Sequence, residues 1–236
     1  MALSVDTTSH ATASPNDTNG LISWTHTVTA GANKLLVTLG SGSTGLADRS
    51  ANTVKFNGVD LTFVVAADDS GFQRGEIWEL HNPPTGAAYT IDADFGSPVT
   101  QNPDLAAGAI SFFGAATALG TGYADENTTA NPSLTVVDSA NGDIVVSVLS
   151  SDVGPDSATT EGGTLIWEDE NVDSDSDYAA QRQVATGANT VASWTSGAPA
   201  PGFWVMAAVA VKAAAGGAAD TYLISRRRQT YFRAAQ

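Results

Sequence analysis

Apolar and polar residues alternate with a period of two along almost the whole chain, the pattern of half-buried β-strands. Ile22, Trp24, His26 and Val28 alternate with Ser23, Thr25, Thr27 and Thr29, and Leu35, Val37 and Leu39 continue the theme. Residues 54–56 and 61–65 flank Asn57-Gly58, the dipeptide of a type I′ hairpin. Further runs fall at 77–80, 89–95, 109–113, 134–137, 143–149, 165–167, 178–184, 190–194 and 203–212. That makes about twelve short strands, and no long segment has the 3.6-residue period of a helix. The pattern predicts an all-β, antiparallel β-sandwich, most simply a jelly roll. In the last run Phe203, Val205, Ala207, Val209 and Val211 face one way and Trp204, Met206, Ala208 and Ala210 the other. A strand apolar on both faces is either sandwiched between two layers or part of an oligomer interface.

The pattern predicts one β-sandwich domain over 1–212, a flexible linker of small residues over 213–220, and a tail over 221–236. Charge separates tail from body. Four of the 10 Lys and Arg residues lie in the tail, which leaves 6 basic against 24 acidic residues in the body, a net of about −18. Tyr222, Leu223, Arg226, Arg227, Arg228, Tyr231, Phe232 and Arg233 form a candidate partner-binding segment. Guanidinium groups pair bidentately with carboxylates, and the rings and Leu223 supply apolar area unfavourable in water. A second, acidic copy of the chain fits as receiver, so a homo-oligomer such as a trimer is expected. The formal charge of −15 repels phosphate and so excludes nucleic acid and anionic membranes as partners of the body. The opening residues form no signal peptide, and no apolar run spans a bilayer, so the expectation is folding in the cytoplasm with no membrane contact. There is no cysteine.

Candidate chemistry is sparse. The stretch 168–177 is acidic, and its oxygen ligands suit Ca²⁺; Asp169, Asp173, Asp175 and Asp177 are the candidate metal ligands. The EF-hand spacing is missing, and a solvated acidic loop is the plainer reading. Gly40, Gly42 and Gly45 match the spacing of a dinucleotide-binding turn, but no helical pattern follows to hold a pyrophosphate. Glu76 and Glu79, three apart on a strand, point to opposite faces and cannot act as a glycosidase pair. His26 sits among apolar positions and His81 precedes Asn82-Pro83-Pro84, so both read as structural. The five tryptophans are either core residues or sugar-stacking platforms. No catalytic residue and no required cofactor is expected, Ca²⁺ aside.

The segments 23–28, 33–37, 56–59, 87–95 and 142–146, with the terminal strand, resemble β-sandwich modules of tailed bacteriophages, of the virion decoration and fibre type. The resemblance covers most of residues 20–213. It implies a non-enzymatic virion structural protein, most simply a capsid decoration (cement) protein held to other virion proteins by its C-terminal tail. The virion surface would be its location, after folding in the host cytoplasm. The alternative is a carbohydrate-binding module, or a head or tail fibre domain, that recognises a host surface glycan.

Overall fold

The computed structural model describes residues 2–12, 20–42, 50–69, 73–96, 104–129, 131–151, 159–160, 162–169, 177–195 and 203–215. Among them there is no helix. The strands, in chain order, are β1 (Ser4–Thr12), β2 (Leu21–Thr27), β3 (Lys34–Gly42), β4 (Thr53–Phe56), β5 (Val59–Asp60), β6 (Thr62–Asp68), β7 (Gln73–His81), β8 (Ala88–Asp94) and β9 (Asp104–Phe113). They continue as β10 (Gly122–Asn127), β11 (Ser133–Val136), β12 (Ile144–Ser151), β13 (Thr159–Thr160), β14 (Thr164–Asp169), β15 (Asp177–Val184), β16 (Thr190–Thr195) and β17 (Trp204–Val211). All pairings are antiparallel.

The strands form four layers. Sheet β2-β8-β4-β5 lies outermost on one side, then β1-β9-β3-β7-β6, then β10-β17-β12-β15-β14, and β11-β16-β13 covers the other side. Three apolar cores fill the spaces between them. The first joins Ile22, Trp24, Val28, Phe56 and Ile91 to Leu35, Val37, Leu39 and Trp78. The middle core joins Leu36, Ile77 and Ile110 to Val146, Val148, Trp167, Tyr178 and Val209. The third joins Val145, Leu149, Trp204 and Met206 to Leu134, Val136 and Trp194.

The two middle sheets are therefore covered on both faces, which explains their strands. β3, β12 and β17 are buried at every residue. In β17, Val205, Ala207, Val209 and Val211 enter the middle core while Trp204, Met206, Ala208 and Ala210 enter the third. The two-faced apolar strand is thus a layer between two cores. β2, in an outer layer, alternates strictly between exposed and buried.

The type I′ signal is realised: Asn57 and Gly58 have φ of 51° and 75° and join β4 to β5. Among the described residues seventeen strands replace the expected twelve or so. β1 (SVDTTSHAT) and β10 (GYADEN) lack apolar alternation because they are edge strands with largely polar or exposed side chains. The body also extends past residue 212. Ala213 bridges Ala115, and the Ala214 amide donates to the Gly114 carbonyl at 2.8 Å, so the first residues assigned to the linker are held.

Candidate functional site

Antiparallel pairing fixes which end of the stack each connection occupies. The β1–β2, β3–β4, β6–β7 and β8–β9 connections leave one end of the first pair of sheets. The β10–β11, β12–β13, β14–β15 and β16–β17 connections leave one end of the second. Contacts across the middle core bring these two ends together. Ser150 donates to Gln73, and the Tyr178 hydroxyl donates to the Asp104 carbonyl at 3.1 Å, all four beside these connections. At the other end Ala115 bridges Ala213. These eight connections share one pole, the loop pole; the other connections among the described strands share the opposite, terminal pole, where β1 starts and β17 ends.

The loop pole contains a cleft of about 240 Å³ where the halves meet, lined by Asp69, Glu126, Asn127, Thr128, Phe203 and Trp204. Phe203 is 52% exposed. Two carboxylates, an amide, a hydroxyl and an aromatic ring make this a surface for polar, uncharged or cationic groups. Sequence reading missed it because its parts lie more than 50 positions apart.

Asp169 ends β14 and Asp177 begins β15 at the same pole. Asp169 is half-buried, and burial raises its carboxyl above the usual range against the opposing pull of nearby His10. Asp177 is buried. Trp167 and Tyr178 both enter the middle core, so alternation turns Asp169 toward that core and Asp177 away from it. The two do not share a face. Asp173 and Asp175 lie outside the described residues, and among the described residues no group of three acids or histidines is arranged to hold a metal. Tyr222, Leu223, Arg226, Arg227, Arg228, Tyr231, Phe232 and Arg233 also lie outside the described residues; Ala215, the last described, is at the terminal pole.

The richest polar cluster surrounds His26, which is 2% exposed. Its Nδ1 is 2.8 Å from Ser9 Oγ, and its Nε2 is 3.2 Å from both Thr7 Oγ1 and Ser111 Oγ. Ser111 donates to Asp6 at 2.8 Å, and the Trp24 indole donates to Ser9 at 3.0 Å. Burial lowers the imidazole pKa to about 4, against the opposing effect of Asp6. The carboxylate bonds a serine rather than the imidazole, so nothing fixes His26 as the base of a Ser-His-Asp relay. The cluster ties β1 to β2 and β9.

Other candidates resolve into packing. Glu76 is buried, 2.5 Å from Arg74 Nε and accepting from the Trp78 indole at 2.7 Å, whereas Glu79 pairs with buried Lys34 at 2.6 Å. Gly40 and Gly42 lie inside β3, and a Cβ on Gly40 would overlap the Tyr178 ring. That close approach across the middle core accounts for Gly40 without a phosphate. His81 ends β7, 3.4 Å from Thr117 Oγ1. All five indoles are buried, at 8% exposure or less, so none is a stacking platform. No family model, curated protein or solved structure matches the chain.

Proposed function

We propose that this chain is a non-enzymatic structural protein of a tailed-phage virion, a capsid decoration protein that is held by its C-terminal segment and presents its loop pole outward. The observation that carries the reading is the separation of the poles. β17 ends at the terminal pole and the cleft lies at the opposite pole, so a segment gripping a lattice beyond β17 leaves the cleft free. Binding residues gather on loops carried by a rigid scaffold, and this scaffold has three continuous cores. The Arg226–Arg228 stretch and its neighbouring rings supply the grip.

Glycan recognition is the second reading, and the loop-pole cleft with exposed Phe203 favours it. The buried indoles count against a broad aromatic platform.

Light scattering on the full chain and on a chain ending at Ala215 tests the tether. The full chain should assemble beyond its 24.1 kDa monomer mass. The truncated chain should stay monomeric with an unchanged melting temperature. Equal assembly by both would contradict the reading.

A further inference from the structure

Each pair of sheets repeats the other strand for strand. The orders β1-β9-β3-β7-β6 and β2-β8-β4-β5 become β10-β17-β12-β15-β14 and β11-β16-β13 when β1, β2, β3, β4, β6, β7, β8 and β9 are matched to β10, β11, β12, β13, β14, β15, β16 and β17. Among the described residues only β5 lacks a counterpart. The registers of β3, β6, β7 and β9 correspond to those of β12, β14, β15 and β17, whereas the shift between Val5 and Thr8 in β1 has no counterpart in β10. Leu36 lies opposite Ile110 and Glu79, as Val146 lies opposite Val209 and Arg182. Thr62 opposite Glu79 matches Thr164 opposite Arg182. The register shift between Phe63 and Val65 recurs between Leu165 and Trp167, which places the two bulges at the same step of the same strand. A bulge is a specific local feature, and its recurrence at one register position is hard to obtain by chance.

Packing between the halves obeys the same matching. β6 touches β10 and β17, as β14 touches β1 and β9. β7 touches β12, as β15 touches β3, and β3 touches its own counterpart β12. The β14 and β15 contacts are less extensive than those of their counterparts β6 and β7, and the β7–β17 contact has no comparable mirror. When element i of one unit meets element j of the other and j meets i in return, the interface is isologous, the geometry of a two-fold dimer. Ala106, Ile110 and Phe112 enter the middle core from one side, and their matched residues Val205, Val209 and Val211 enter it from the other.

We infer that the chain is two copies of one jelly-roll unit fused in tandem, and that the inner face of each copy is a homotypic docking surface whose fitting partner is a second copy of the same unit. The middle core is then a dimer interface brought inside one chain by the 114–121 connection.

The test starts from the folded full chain. A protease site is inserted between Thr117 and Ala118, both exposed, and cut after folding. The middle core should keep the halves together. Two such preparations, one with isotope-labelled halves, are mixed in denaturant just strong enough for labelled and unlabelled copies of the same half to exchange. Native mass spectrometry should then show three species: the mixed pair and a pair of each half with itself. Only mixed pairs despite exchange, or halves that separate on cutting, would overturn the inference.

Discussion

The two outer cores solve one packing problem differently. In the first half, Val37 and Trp78 fill matched positions on β3 and β7, and the Trp78 indole donates to Glu76. In the second half the same register positions are Ser147 and Gln181, on β12 and β15. Both are buried, and Ser147 Oγ and Gln181 Oε1 have no hydrogen-bond partner; nor does the buried Trp194 Nε1 in the same layer. The Gln181 amide nitrogen reaches the Ser193 carbonyl, next to Trp194, at 3.0 Å. The covering sheet also differs, with β2-β8-β4-β5 on one side and only β11-β16-β13 on the other. A shared backbone plan thus carries one outer core whose buried polar groups are largely paired and one where several are not. Unpaired buried groups cost free energy, so the second outer core is the weaker layer, while the middle core is common to both halves.

The largest effect is expected in that common core. The Trp167 indole lies over Gly108 and donates to Thr38 at 2.8 Å, whereas its matched residue is the smaller Val65. Trp167→Ala should cost about 3–5 kcal/mol in urea unfolding, and Val65→Ala clearly less. Equal losses would break the comparison.

Acid should act on the first half. The folded pKa of His26, about 4, lies below its ordinary 6.5, so folding favours the neutral imidazole. Its contribution is complete above pH 6.5 and is lost as pH falls to and through about 4. The shift corresponds to about 3 kcal/mol. The second half contains no histidine. Proton titration by NMR should place His26 near 4; a value near 6.5 would remove the effect.

The alternation of 22–28 and the Asn57-Gly58 turn were legible because each is encoded within a few neighbouring residues. The two-faced apolar pattern of β17 was legible as well, though not which of its two explanations held. The duplication was not legible. It resides in register, and matched positions such as Trp78 and Gln181, or Glu79 and Arg182, share no chemistry. The cleft was hidden for a similar reason: Asp69 and Phe203 meet only when the halves pack. The edge strands β1 and β10 escaped because a strand with little buried surface needs no apolar alternation.

A smaller effect sharpens the contrast between outer cores. Ser147→Val, which installs the residue found at matched position 37, should raise stability by about 1 kcal/mol by removing an unpaired hydroxyl. Val37→Ser should lower it by about 2 kcal/mol. Loss of stability in both would show that Ser147 is paired in solution.

Native-state hydrogen exchange tests most directly the central claim, that one middle core holds two equivalent sandwiches together. Amides of β3, β9, β12 and β17 should exchange slowest and at matching rates in the two halves, those of β2 and β8 faster, and those of β11 and β16 fastest. If β3 and β9 open independently of β12 and β17, or the outer sheets outlast the middle ones, the halves are separate bodies and the account fails.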